Sequence, residues 1–423
     1  MYSCLLNQKV WRRAATNIEF KKDRRDFLER LLSLDSASFD FITKKAAGLR
    51  NGIKCQVDRS LTSSGTYNVA FPIKFDDGVY WLLRIRRPKN QSRSTEDQLM
   101  KSSIATMMYL KDNKRIPIPE VYFSCSSWDN PLRAPFIVME LIDGIPISKA
   151  YVLDPEKPWR QNEVCDQICR IANEFSNLRF EKIGALFPTK DLDIYDVKAT
   201  FDWRGSRYYP GDSRYDGFRK AKEYYTALAD KSWDRERQVF RTVRLPLSES
   251  WRWETTSDGY KRLFAAYLYL KCLSLVQWDK VHDEFCLQHQ DFYLQNFLID
   301  KNDKVVALID LDWASTVPLH GYDPLSFCES WTRTVEEKRL EYLSKWEWLD
   351  GSYMPLVSEI YKSREGTLCR LLATSLRPDP IRFARKLFEA CYSMAWEDSE
   401  QQRRQCMIEA LEKLEKQLRM REV

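Results

Sequence analysis

Histidine occurs three times in 423 residues and glycine thirteen times. With so few histidines, and no cysteine–histidine group at ligand spacing, a zinc site is not expected. Scarce glycine beside 13% aromatic and 44% hydrophobic residues argues against a disordered or low-complexity chain. The eleven cysteines are odd in number and scattered. Cys165 and Cys169, the nearest pair, have the i,i+4 spacing of one helix face rather than a CxxC knuckle, so reduced and mostly buried thiols are expected. Long hydrophobic runs are missing too. The stretch "LFAAYLYLKCLSLVQW" (263–278) is interrupted by Lys271 and too short for a bilayer of about 30 Å, so it reads as a buried helix and no membrane association is expected. Near the first residue there is no uninterrupted apolar core followed by a small-residue cleavage site, so no secretory signal is read there. Charge of one sign does not dominate: a net +6 is mild and does not itself point to nucleic acid. There is no internal repeat.

What is present has a definite order. Residues 1–50 read as helical. In "NVAFPIKFDDGVYWLLRIR", Val69, Phe71, Ile73 and Phe75 alternate with smaller or polar residues, Asp77-Gly78 offers a hairpin turn, and the strand returns through Arg84. The small-residue stretch "TSSGT" precedes this hairpin. A helix is expected over 94–112, a strand in "PFIVMELIDG", and a boundary between two lobes at Ile142–Gly144. Beyond it the periodicity is helical, with Val164, Ile168, Ile171, Ala172 and Phe175 on one stripe. Residues 190–250 read as irregular, aromatic and basic, and 260–285 as a long apolar helix.

Two acidic stretches then stand close together. "QHQDFYLQNFLID" holds His289, Asp291 and Asn296, and after a short hairpin turned at "KND" comes "ALIDLDWAST" with Asp310 and Asp312. Alone, His-x-Asp-x-x-x-x-Asn recurs by chance, and the bland reading is a capped turn. Joined to the following apolar hairpin and Asp310, it has the residue types that phosphoryl transfer needs: an acid to accept a hydrogen bond from an attacking hydroxyl, and hard oxygen donors for Mg²⁺.

In this order, "HQDFYLQNFLID…VVALIDLDWASTVPL" resembles the aminoglycoside phosphotransferase-like family, fungal members in particular, over roughly residues 55–330. The resemblance implies an α+β, bilobal protein-kinase-like fold, with a small antiparallel-sheet N-lobe at 51–143 and a large mainly helical C-lobe at 144–423; the helical residues 1–50 stand ahead of it as an N-terminal segment. It implies a phosphotransferase using ATP and Mg²⁺ on a hydroxyl of a small-molecule acceptor. Asp291 would orient the acceptor, His289 brace the loop, and Asn296 and Asp310 bind metal. Ser63, Ser64, Gly65, Thr66 and Asn68 would cover the phosphates, small residues letting backbone N–H groups approach an anion. Arg84 falls where kinases place a phosphate-holding lysine. Glu140 and Ile142 lie in the segment that reads the base through its backbone.

The sequence departs from the family at three places. Ser103 stands where the family has a glutamate, so the ion pair that steadies the phosphate-holding base is absent unless Glu96 supplies it. Leu311 follows Asp310 in place of an aromatic, and Gln290 replaces a frequent glycine. A second reading therefore stays open: a kinase-shaped protein without phosphotransfer, binding a partner or RNA/tRNA for another group transfer. The aromatic and basic stretch 201–225 is its candidate surface, against the blander reading of an insertion over the acceptor pocket. No Ala-Pro-Glu segment follows Asp310, so a protein kinase is the least favoured reading. Ser399 and Gln402 form a capping-box pattern ahead of a Met407, Leu411, Leu414, Leu418 seam that is expected to dock on the C-lobe. A monomer or weak dimer in the cytoplasm is expected, the location by default only.

Overall fold

A computed structural model describes residues 12–13, 22–65, 67–87, 93–113, 115–153, 158–189, 195–198, 217–239, 258–325, 354–375, 380–392, 405 and 409. The N-lobe is built on one antiparallel sheet. Its strands are β1 (Arg12–Arg13), β2 (Cys55–Val57), β3 (Leu61–Ser64), β4 (Asn68–Phe75), β5 (Tyr80–Arg86), β6 (Val121–Cys125) and β7 (Phe136–Glu140), in the order β1-β3-β4-β5-β7-β6, with β2 also on β4. The stretch "TSSG" is thus mostly strand β3 rather than a loop, turning into β4 at Gly65, whose N–H donates to the Asn68 carbonyl (2.9 Å). At the Asp77-Gly78 turn, Gly78 has φ +83° and its N–H bonds the Phe75 carbonyl. That left-handed conformation is what glycine supplies without strain.

The strand period of two sorts the side chains of this sheet. Val69, Phe71, Ile73 and Phe75 of β4, and Trp81, Leu83 and Ile85 of β5, face a core shared with helices α1 (Lys22–Ser33) and α2 (Ala37–Leu49) through Phe27, Leu28, Leu31, Phe39 and Ile42. Each such burial is worth roughly 1.5–3 kcal/mol. The described part of the N-terminal segment therefore packs into the N-lobe, and β1 adds an edge strand to its sheet. On β5 the alternate residues Leu82, Arg84 and Arg86 turn the other way, toward helix α3 (Arg93–Asn113) and the cleft.

The chain crosses to the C-lobe after Glu140. Gly144 lies so close to the lower lobe that a Cβ there would meet the Cβ of Leu298 at 3.0 Å. Next come β8 (Ile145–Pro146), α4 (Ile147–Leu153), α5 (Pro158–Asn177), β9 (Arg179–Phe180), and the paired β10 (Ala185–Pro188) and β11 (Tyr195–Lys198). Helix α6 (Ala221–Val239) falls in the stretch read from sequence as irregular. Its buried residues Ala221, Tyr225, Leu228 and Ala229 form a narrow stripe against α7 (Asp258–Leu275), hidden in sequence among aromatic and basic neighbours. Helices α8 (Met354–Lys362), α9 (Arg364–Ser375) and α10 (Pro380–Tyr392) follow. Cys165, Cys169, Cys272, Cys286 and Cys369 are buried and in no disulfide among the described residues. The largest core runs through both lobes, from Met107 and Leu110 of α3 to Ile168 and Phe175 of α5 and Phe297 and Leu308 beneath the cleft. Most of 201–225 and nearly all of the tail from Ser399 lie outside the described residues, as does Thr66. Among the described residues no helix is long and apolar enough to cross a membrane.

Candidate active site

Four short strands frame the two acidic stretches. β12 (Phe285–Gln288) pairs with β15 (Ser315–Pro318), while β13 (Phe297–Ile299) and β14 (Val305–Leu308) form the hairpin between them, with β8 on its edge. Gln288 lies opposite Ser315, so the chain leaves and re-enters at one place. The side chain of Gln290 donates to Ser315 Oγ at 2.8 Å and fastens that closure.

His289 is buried and ties the loop together. The backbone N–H of Asp291 donates to Nδ1 (3.1 Å), so the ring proton sits on Nε2, which donates to the carbonyl of Ile309 (3.0 Å). Burial pulls the imidazole below its ordinary pKa and keeps it neutral in this role. One side chain thus ties the loop to the residue preceding Asp310. Asn296 gives its amide hydrogens to Asp291, to the carbonyl oxygen (2.7 Å) and to Oδ2 (2.8 Å), which leaves its Oδ1 for another partner. The backbone N–H of Ile309 donates to the Asn296 carbonyl (2.9 Å), holding the two stretches side by side.

Asp310 and Trp313 both have left-handed backbones, φ +63° and +72°. Asp tolerates this region; for Trp it is a strained choice of about 1–3 kcal/mol. The turn is held by what it buries. Leu311 lies in the main core, which accounts for an apolar residue where the family has an aromatic, and Asp312 is buried against the N-lobe. Trp313 packs edge-on against Tyr67, ring centroids 6.3 Å apart.

That N-lobe wall differs from the sequence expectation in its pairing. Arg84 Nη2 reaches Asp310 Oδ1 (2.5 Å) and Asp312 Oδ2 (3.0 Å). With the Asn68 amide assigned so that both of its ends are satisfied, its oxygen accepts from Nη2 of this guanidinium at 2.6 Å and from Nε at 3.1 Å. Glu96 does form a buried ion pair, but with Arg86 rather than Arg84. Arg86 Nη1 also contacts Asp312 Oδ2 at 2.8 Å, and Ser103 Oγ donates to Asp312 Oδ1 at 2.8 Å. Burial would raise the Asp312 carboxyl, yet Arg84, Arg86 and the Ser103 hydroxyl together hold it well below the usual carboxylate range. Asp310 behaves in the opposite way. Loss of solvent pushes it up to about 6 despite Arg84, with the Asp312 charge adding to the rise. Arg86 and Asp312 were missed as site residues from sequence. The signal for Arg86 was the i,i+2 repeat that puts it on the same strand face as Arg84.

The two lobes enclose a cavity of about 300 Å³. Gly65, Asn68 and Arg84 lie at one side, and Asn296 and Asp310 at another. Ala70, Leu82, Met107, Met139, Leu298 and Leu308 make an apolar slot, with Glu140, Leu141 and Ile142 along its edge. Ser64, in β3 opposite Val69, does not line it; Ser63 does. Asp291 stands next to the cavity through its bonds to Asn296. An apolar slot beside the segment that joins the lobes suits a purine, and a basic wall suits phosphates. The Asn296 and Asp310 oxygens form a small, hard donor set. Such a pair suits Mg²⁺, which takes one or two protein ligands and completes its shell with phosphate and water.

A sequence model of the phosphotransferase enzyme family matches residues 60–356. A subtelomeric hrmA-associated cluster protein of Aspergillus fumigatus is 28% identical over 139 residues, 32% of this chain and 26% of that protein. Altered inheritance of mitochondria protein 9 of Candida albicans is 26% identical over 210 residues, 44% of this chain and 34% of that protein. The chain thus spans about a quarter to a third of the length of these curated relatives. Among solved structures, a thermostable mutant of aminoglycoside phosphotransferase APH(4)-Ia with AMP-PNP and hygromycin B is 15% identical. It covers 83% of this chain and 96% of that one at a TM-score of 0.46. Plasmodium vivax ethanolamine kinase is 12% identical, covering 93% and 95%, at 0.42. The relatives overturn one expectation. The cytoplasmic location rested only on the want of a targeting feature, whereas several curated relatives are named as mitochondrial proteins. The hairpin at Gly65, the Asp291 loop and the Asp310 turn all fall inside the matched span, and the chain belongs to the phosphotransferase enzyme family.

Proposed function

We propose that the protein transfers the terminal phosphoryl group of ATP, with Mg²⁺, to a hydroxyl of a small molecule. The observation that carries this reading is that Asn296 and Asp310 line one cavity with Arg84, while Asn296 fixes the carboxylate of Asp291 beside it. Asp291 accepts a hydrogen bond from the acceptor hydroxyl and takes its proton late in the transfer. Asn296 does double duty. Its amide hydrogens aim Asp291, and its free oxygen joins Asp310 in holding the metal, whose role is to neutralise charge on the phosphates. Arg84 supplies a forked cation toward the phosphates, a different geometry from a lysine's point charge. Gly65 and Asn68 close over them, and the slot from Ala70 to Leu308 takes the base and excludes water. Nothing in the described residues favours the RNA-binding alternative, whose surface at 201–225 lies largely beyond them. By the names of its relatives, the location to test is the mitochondrion.

The test is ATP consumption over pools of small hydroxyl compounds. Wild-type protein is expected to consume ATP with at least one pool and Asp291→Ala with none. A wild-type protein that neither binds MgATP by calorimetry nor turns it over refutes the proposal.

A further inference from the structure

We infer that this chain has relocated the strut between helix α3 and the sheet: Arg86 and Glu96, joined through Asp312 to Ser103, are the positioning residues for Asp310, and Arg84 is left free of α3 to face the cavity. The inference rests on the phosphotransferase reading above and assigns residues within it.

Arg86 lies two residues beyond Arg84 on the same face of β5, with 2% of its side chain exposed. It touches an acid on α3, Glu96, and an acid of the turn, Asp312, so one guanidinium bolts three segments together. A buried guanidinium between two buried carboxylates is a unit: removing one member leaves the others charged and without compensation. Asp312 is two residues past Asp310 on a turn with two left-handed residues, so a shift of Asp312 is passed on to Asp310. Ser103 stands 2.8 Å from Asp312 Oδ1. A carboxylate at position 103 would meet Asp312 before any unengaged cation. Serine there is thus part of the relocated strut rather than a gap in the familiar one.

The experiment compares wild type with Ser103→Glu, Ser103→Ala and the double variant Ser103→Glu/Asp312→Asn. Thermal unfolding without nucleotide reads the strut. ATP affinity by calorimetry, in Mg²⁺ and in EDTA, reads the positioning of Asp310. Ser103→Glu is expected to lower the melting temperature by several degrees, and Asp312→Asn added to it to recover part of that loss, since only one of the two facing acids remains. Ser103→Ala, which keeps the fold, is expected to weaken ATP roughly two- to fivefold in Mg²⁺ and to change little in EDTA, a split that a general loss of stability does not produce. If Ser103→Glu raises the melting temperature or tightens MgATP, the conventional pair with Arg84 has been restored and the inference is overturned. Wild type that binds MgATP while Ser103→Ala binds it equally well overturns the positioning role alone. Wild type that takes no nucleotide in either buffer overturns the proposed function and the positioning role together, whereas the melting temperatures still judge the strut.

Discussion

Replacing Asp310 by asparagine should make the metal-free protein more stable while removing its response to Mg²⁺. The substitution is close to isosteric, and asparagine accepts the left-handed φ of +63° as readily as aspartate, so it adds no backbone strain. What changes is charge. The Asp310 carboxyl is pushed from 3.8 to about 6, chiefly by loss of solvent. At 1.36 kcal/mol per unit, that is about 3 kcal/mol against the ionised form in the folded protein. The side chain keeps 37% of its surface open, so screening reduces this to about 1–2 kcal/mol. The folded pKa lies above the unfolded one, so the folded state holds the proton more tightly. Stability is therefore lost as pH rises through the window from about 4 to about 6. The neutral amide of the variant carries no such cost. Urea unfolding in EDTA should show the variant more stable at pH 8 by about 1–2 kcal/mol, with the gap closing toward pH 4. Under the proposed function MgATP stabilises wild type by mass action, and the Mg²⁺-dependent part of that gain should be lost in the variant. A variant that is less stable than wild type at pH 8, or a gap that does not change with pH, would refute the reasoning.

His289→Leu removes the partners of the Asp291 N–H and the Ile309 carbonyl, so it should cost about 1–3 kcal/mol per orphaned group in urea unfolding; an unchanged midpoint counts against the bracing role. His320 is buried near His282, and burial first, then that neighbour, pull it down to about 4. Its folded pKa is below the unfolded 6.5, so stability is present above pH 6.5 and is lost as pH falls toward 4, by up to about 3 kcal/mol. His320→Phe should flatten that part of the pH–stability curve, and a curve parallel to wild type's would show that His320 is not its source.

The parts legible in sequence were those whose pattern is local. The hairpin of β4 and β5 announced itself by alternation and Asp77-Gly78, and the spacing of His289, Asp291 and Asn296 is reproduced as a closed loop. Glu140, Ile142, Gly65, Asn68 and Arg84, far apart in sequence, all line one cavity. The misses are long-range. Arg84 and Arg86 share a face, so alternation alone could not say which meets α3; that depends on where Glu96 and Asp312 come to lie. Helix α6 was unreadable because only a narrow apolar stripe is needed against α7. The N-terminal stretch read as helical but gave no sign that its apolar residues belong to the back of the sheet.

The pairing of β12 with β15 makes the segment between them a closed circuit: the chain goes out at Gln288 and comes home at Ser315, directly across the ladder. Inside the circuit, Asp312 is the link to helix α3, through Arg86 and Ser103, and Asp303 and Val305 are the links to helix α5, through Gln167. The exposed turn at Lys301, Asn302 and Lys304 is its far end, farthest along the hairpin from the acids. Residues 289–314 are therefore exchangeable only together with the partners of Asp312, namely Arg84, Arg86 with Glu96, and Ser103. The segment of a relative with proven activity can be transplanted between these two strands with those partners, and the acceptor preference that travels with it separates what the segment dictates from what the surrounding lobe dictates.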